Sequence, residues 1–261
     1  VISESILADR GRFLIKLADN EREIALAHRL RTEIFRHTDP DSETAVPDHD
    51  RFDRQFQHLL ILDRELGRTA AVCRMQSGRT ALAGNGFYSE GEYEISGLRP
   101  LADETWEMSR TCVHPDYRGG TVISLLWSAI FELRAREKFR YLIGCGSVFR
   151  SAPAIGWGLF EYFKANDCLS DRIFGRAKPD YALPEATPEE RRFFVENPAA
   201  VAGELPPLMK GYLRVGAKIA GEPVWDREFD VIDFMVFFDF EKLAARYARH
   251  FSHAEQLSGE R

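Results

Sequence analysis

Two charges stand inside a run that otherwise reads as a buried strand. In Glu-Thr-Trp-Glu-Met-Ser-Arg-Thr-Cys-Val, residues 104–113, Glu107 and Arg110 lie three positions apart. A carboxylate placed this way can take a proton from an attacking nucleophile. A guanidinium can grip a substrate carboxylate in bidentate fashion. In an unbroken strand, residues three apart face opposite sides. A bulge between them would turn both toward one face. A structural ion-pair network accounts for the same two charges equally well.

More charges fall into a pattern around this pair. Arg31 and Phe35 sit four apart in a helical stretch, and Asp48, Asp50 and Asp53 follow in a polar loop with two prolines. Arg74 lies in a strand-like run. After the Glu107 strand the chain breaks at Pro115 and reaches Arg118-Gly119-Gly120 before a long apolar run. A helix starting there aims its first N–H groups at one point, an anion-binding geometry. Arg118 adds charge, and the glycines let the backbone come close to a ligand. Farther on, Lys210, Arg214 and Lys218 at i, i+4, i+8 predict one cationic helix stripe, either a solvated face or a dock for an acidic partner. His114, just past the strand end, reads as a capping or surface residue. Cys112 has no neighbouring base to make it a thiolate.

The elements that must position these groups are legible from periodicity. Residues 12–17 predict a strand, and 20–36 a helix capped by Asn20 with acids in its first turn. Residues 58–75 predict a hairpin turning near Gly67. Residues 104–113 and 140–148 predict strands; 120–139 and 151–166 predict helices. Residues 78–100 are Gly-rich and give no clear pattern, and 167–204 read as polar and Pro-rich. Then come a predicted helix at 205–221, a buried strand at 229–240 and a closing helix at 241–251.

The totals fit an ordinary globular chain. It has 261 residues, 44% hydrophobic content with 12% aromatics, and a net charge of −6 that argues against nucleic acid as a partner. Four cysteines without a CxxC pair indicate no zinc site, and the apolar settings of Cys73, Cys112 and Cys145 fit a reducing compartment. No apolar run reaches the ~18–20 residues of a membrane span, and the first residues show no signal-peptide pattern. The expected location is cytoplasmic, with peripheral membrane contact left open.

The order strand, helix, hairpin, strand, long helix, strand, helix resembles the Gcn5-related N-acyltransferase (GNAT) fold. That resemblance implies an α/β architecture: a central mixed, mostly antiparallel sheet flanked by helices, here with a C-terminal extension. One acyltransferase domain over 1–261 is expected, with a core over about 11–166 and an extension over about 167–251. In that fold the turn after the fourth strand binds a pantetheine pyrophosphate through Gln/Arg-x-x-Gly-x-Gly/Ala. Arg118 fits the motif, but Thr121 and Ile123 stand at its two later glycine positions. The departure shifts the expected donor from coenzyme A toward a carrier protein.

The blocks 107–118 and 205–236, with 11–35 and 50–64, resemble the L-ornithine Nα-acyltransferases, or ornithine-lipid synthases, a branch shared with N-acyl amino acid synthases. Acyl-homoserine lactone synthases are similar at Arg31, Phe35, Asp50, Asp53, Arg74, Glu107 and Arg110, and carry Glu where this chain has Asp48. The resemblance implies transfer of a long-chain (3-hydroxy)acyl group from acyl carrier protein to the α-amine of L-ornithine, forming lyso-ornithine lipid. Glu107 and Arg110 would be catalytic, with Glu107 the general base. A backbone N–H of Thr111, Cys112 or Val113 would polarise the thioester carbonyl. Arg31, Phe35, Asp48, Asp50, Asp53 and Arg74 would bind the acceptor, the aspartates on its ammonium. Arg118, Gly119, Gly120, Lys210 and Arg214 would bind the phosphopantetheine arm and its carrier. The acyl chain is expected near Trp127, Phe131 and Tyr141. No metal and no tightly bound cofactor are implied; the acyl-carrier thioester is a substrate. Another acceptor amino acid, a lactone-type product, or a non-catalytic acyl-carrier or lipid-binding module are the competing readings.

Overall fold

A computed structural model describes residues 5–149 and 152–242. In chain order its elements are β1 (Ile6–Arg10), β2 (Phe13–Leu17), α1 (Glu21–Phe35), β3 (Gln57–Asp63), β4 (Arg68–Ser77), α2 (Gly78–Ala83), β5 (Tyr93–Ser96), β6 (Thr105–Val113), α3 (Thr121–Glu137), β7 (Tyr141–Val148), α4 (Pro153–Ala165), β8 (Phe174–Ala177), α5 (Pro188–Glu196), α6 (Pro198–Glu204), α7 (Pro207–Val215), β9 (Lys218–Ile219), β10 (Val224–Asp226) and β11 (Val231–Asp239). The strand pairing is mixed and mostly antiparallel, and β6 with β7 is parallel. The chain forms two compact units that interleave in sequence. One holds residues 5–85 and Met108–Phe139; the other holds Gly86–Glu107 and residues 140–242.

In the first unit, β1, β2, β3 and β4 pair antiparallel in that order. The helix α1 starts where Asn20 accepts a hydrogen bond from the Glu23 N–H at 3.0 Å. It buries Ala27 and Leu30 against Leu60, Val72 and Cys112. The same face carries Arg31, only 1% exposed. A helix that packs on a sheet thus carries a guanidinium inward, where its charge demands partners.

In the second unit, β11 pairs with β7 from Ile232–Val148 to Asp239–Tyr141, and all nine of its residues are buried. Such a strand reads as a continuous apolar run because both faces are covered. Phe234 meets Phe163 of α4, and Phe238 meets Tyr212 of α7. Arg140 clamps Asp239 through two bonds of 3.1 and 3.0 Å at the end of this pair.

The structure corrects several expectations. The helix expected over 205–221 ends at Val215, because Gly216 turns left-handed at φ +101. Lys218 therefore lies in β9, bonded to the Asp167 carbonyl, and leaves the stripe of Lys210 and Arg214. The unclear 78–100 region holds α2, a 3₁₀ turn over Tyr88–Gly91 and β5. The polar 167–204 region holds β8, α5 and α6. The strand β1 had no expected counterpart. Most of the closing helix expected over 241–251 lies outside the described residues.

Candidate active site

The first unit gathers the spaced charges into one ionic cluster. Arg31 donates from Nε to Asp48 Oδ2 at 2.8 Å and from Nη1 to Asp53 Oδ1 at 2.5 Å. Arg74 donates from Nη1 to Asp50 Oδ1 at 2.7 Å and to Asp53 Oδ1 at 2.8 Å, and from Nε to Ser109 Oγ at 2.9 Å. Arg110 reaches Asp48 Oδ2 at 3.3 Å and stands 3.7 Å from Asp50 Oδ2. Its guanidinium carbon lies 5.8 Å from the Phe35 ring centre. Arg36 adds a 3.4 Å bond to Asp48. Arg31, Arg36, Arg74 and Arg110 thus all face the carboxylates of Asp48, Asp50 and Asp53.

The electrostatics follow from these contacts. Burial alone would raise the Asp53 carboxyl, but His28, Arg31 and Arg74 hold it well below the usual carboxylate range. Burial also raises Asp50, and Arg74 reverses the effect, so its carboxyl too is lowered. His58, bonded to the Asp53 carbonyl at 3.1 Å, is pulled down to about 4 chiefly by burial. It is neutral at physiological pH. Asp50 is the least committed acid: its side chain is 25% exposed, and its Oδ2 has no hydrogen-bond partner among the described residues. His28, Asp53 and His58 bring possible metal-ligand atoms within 4.8 Å of one another. The set suits a cation poorly, because two guanidinium groups already hold Asp53.

Arg110 takes a left-handed conformation at φ +50 inside β6. A non-glycine residue held this way stores roughly 1–3 kcal/mol of strain. Beyond it, Thr111 Oγ1 donates to Cys73 Sγ at 3.2 Å, and Cys112 is buried in the core. Burial pushes the Cys112 thiol far up, and the Cys73 thiol up to about 11, so neither is a thiolate at neutral pH. The carbonyl of Val113 accepts from Arg118 Nε at 3.3 Å.

The turn after β6 is built as its residues require. The His114 ring accepts from the Asp116 N–H at 3.2 Å, so the histidine caps a short 3₁₀ turn. Gly120 sits at φ +97, where a side chain would be strained, and α3 starts next to it. No side chain caps the first N–H groups of α3. Arg118 and Gly119 are exposed beside this helix start.

Glu107 belongs to the second unit and is 0% exposed. Its Oε2 accepts from the Tyr88 N–H at 2.7 Å. Its Oε1 accepts from the Ser89 N–H at 2.8 Å and the Ser89 hydroxyl at 2.7 Å. The partners lie 18 and 19 residues away, in a region whose sequence gave no pattern. Ser89 also meets the Cys145 thiol at 3.8 Å, and Cys145 reaches Glu92 at 3.8 Å. Glu92, Asp226 and Asp233 form a buried group of three carboxylates whose oxygens lie within 4.8 Å of one another. In the same unit, Lys210 and Arg214 are exposed on α7.

The structure therefore brings together Arg31, Phe35, Asp48, Asp50, Asp53, Arg74 and Arg110. Glu107 has its own surroundings, described above, as do Lys210 and Arg214. Sequence reasoning missed His28, Arg36, His58, Ser89 and Ser109. His28 stands three residues before Arg31 on α1, a same-face spacing that could have flagged it. Ser89 carried no such signal.

A family profile described as "Acetyltransferase (GNAT) domain" matches residues 30–128. The L-ornithine N(alpha)-acyltransferase of Agrobacterium fabrum is 30% identical over 98% of this chain and 91% of its own. That of Brucella abortus is 30% identical over 94% of this chain and 91% of its own. Among solved structures, the AHL synthase LasI is similar at a TM-score of 0.47 and 10% identity, covering 87% of this chain and 90% of that one.

Proposed function

The chain belongs to the L-ornithine N(alpha)-acyltransferase family, and from that premise we propose that it moves a long-chain (3-hydroxy)acyl group from an acyl carrier protein thioester to the α-amine of L-ornithine. The nitrogen attacks the thioester carbonyl, a C–N bond forms, the C–S bond breaks, and the carrier thiol leaves with a proton. The product is lyso-ornithine lipid.

The observation that carries the reading is the ionic cluster. Within it Asp50 Oδ2 has no hydrogen bond among the described residues, and Arg110 stands 3.7 Å from that oxygen. Arg110 is the group that takes the acceptor carboxylate. Asp50, with an oxygen lacking a hydrogen bond, is the acid that takes the side-chain ammonium. Asp48 and Asp53 are already spent on arginines, so they fix the cluster and leave the ammonium to Asp50. Phe35 packs against Arg110, while Arg31 and Arg74 hold the aspartates in place. Glu107, three residues before Arg110 on β6, is the candidate base for the α-ammonium proton.

For the donor, the open helix start after Arg118, Gly119 and Gly120 suits the phosphate of a phosphopantetheine arm. The backbone of Thr111, Cys112 and Val113 is the candidate to polarise the thioester carbonyl. Lys210 and Arg214, exposed on α7, suit an acidic carrier.

Mass spectrometry of lipids from cells expressing the chain tests the product. Acyl-ornithine must appear, and its absence rejects the reading. Purified protein offered matched acyl-carrier and acyl-coenzyme A thioesters then separates the donors. Glu107→Gln should cut turnover at least about a hundredfold if Glu107 is the base. Unchanged turnover removes it from that role.

A further inference from the structure

Outside the site described above, the first unit carries one shallow, open depression whose rim holds two arginines. It has a volume of about 550 Å³ and is lined by Arg54, Gln55, Arg79, Thr80, Ala83 and Gly84. No acid is among its lining residues. Arg54 makes no ion pair among the described residues. The Arg51 carbonyl accepts from Asn85 Nδ2 at 3.3 Å, and the Asn85 N–H donates to Gln55 at 2.7 Å, which places Arg51 beside the same rim. Arg51, Arg54 and Arg79 are all exposed. Leu82 follows on the short helix α2 and is 44% exposed, with Ala83 and Gly84 open beside it.

We propose that this face, with Arg51, Arg54, Arg79 and the exposed Leu82, docks on a membrane surface bearing anionic phospholipid headgroups. Charge complementarity carries the choice of occupant. The chain as a whole has a net charge of −6 and is repelled by such a surface. Attraction must therefore come from a local patch, and screening over about 8 Å at physiological salt makes the local balance decisive. A planar guanidinium binds phosphate oxygens in bidentate fashion. An exposed Leu on the same short helix as Arg79 can enter the apolar boundary beneath the headgroups. Arg54 directly follows Asp53, so the dock lies one residue along the chain from the ionic cluster. The inference stands apart from the acyl-transfer reading, because binding is measured without substrates.

The test is sedimentation of the full chain with phosphatidylcholine vesicles prepared with and without phosphatidylglycerol. Binding to the anionic vesicles alone is expected, weakening at high salt. The double variant Arg54→Gln/Arg79→Gln should weaken it about twenty-five-fold, from roughly fivefold per cation near the surface. Leu82→Ser should weaken it further. These positions are exposed, and circular dichroism confirms that each variant folds. Should the double variant fail to fold, Leu82→Ser and the salt dependence decide alone.

Equal binding to both vesicle types overturns the proposal. So does undiminished binding by the double variant, or loss of binding on Lys210→Gln/Arg214→Gln, which would move the dock to α7. Tight binding of inorganic phosphate without vesicle binding makes the depression a soluble-anion site and also overturns it. Retained vesicle binding with lost carrier-dependent turnover in the double variant would assign the face to an acidic protein instead.

Discussion

Asp53 in the first unit and Glu107 in the second are both buried carboxylates, but different kinds of donor satisfy them. Asp53 lies between two guanidinium groups, at 2.5 Å from Arg31 and 2.8 Å from Arg74. Glu107 takes two backbone N–H groups and one hydroxyl from a turn. The first arrangement is a lattice of full charges, where removing one member leaves another buried without compensation. The second uses neutral dipoles, each replaceable at smaller cost. The difference teaches where each acid can serve. Asp53 is locked as a structural counter-ion, whereas Glu107 is held in place without a cation among these donors.

The hardest test of the contrast is to break the lattice. Arg74→Met strips Asp50 and Asp53 of a shared partner and should cost about 3–5 kcal/mol in urea unfolding, as for other broken buried pairs. A loss under about 1 kcal/mol would mean that the lattice relaxes like a surface pair.

The next largest effect is a pH dependence. Below pH ~6.5 the unfolded chain protonates His58, whereas the folded chain keeps it neutral until about 4. The unfolded state then binds more protons, so stability falls as pH drops through this window and is flat above it. The expected loss is about 3 kcal/mol. His58→Gln should flatten that limb in thermal melts recorded across the window. The lowered carboxyls of Asp50 and Asp53 contribute stability that is present above the usual carboxylate range and lost as pH falls below it. That part of the acid loss should persist in the variant.

The neutral cradle should yield less. Ser89→Ala removes one of the donors to Glu107 and should cost about 1 kcal/mol of stability. If Glu107 is the base, the same change alters the pH profile of turnover as well, which a purely structural donor would leave alone. The smallest effect belongs to Asp50→Asn. It keeps an acceptor for Arg74 at the partly exposed edge of the lattice and should change stability by under about 1 kcal/mol. It should raise the KM for ornithine more than it lowers kcat, and an unchanged KM removes Asp50 from acceptor binding.

Much of the scaffold was legible because local signals agreed with it. Asn20 with the acids after it started α1, and the apolar run at 229–240 became β11. The charged residues of the cluster were named from spacing and resemblance. Their division of labour was not legible. Nothing in the order Asp48, Asp50, Asp53 says which acid keeps an oxygen without a hydrogen bond. That depends on where α1 and β4 place Arg31 and Arg74, which are distant in sequence. Gly216 shows the same limit on a smaller scale, since the cationic stripe read on a continuous helix loses Lys218 where the backbone turns left-handed.

The sequence by itself determined most of the longer elements, the family and the list of ionisable groups, because periodicity, capping and motif spacing are local properties of the chain. The tertiary structure decided which charges neutralise one another, that Ser89 and Tyr88 hold Glu107, and that Arg110 turns left-handed inside β6. Those outcomes depend on partners far apart along the chain, whose distances only folding sets.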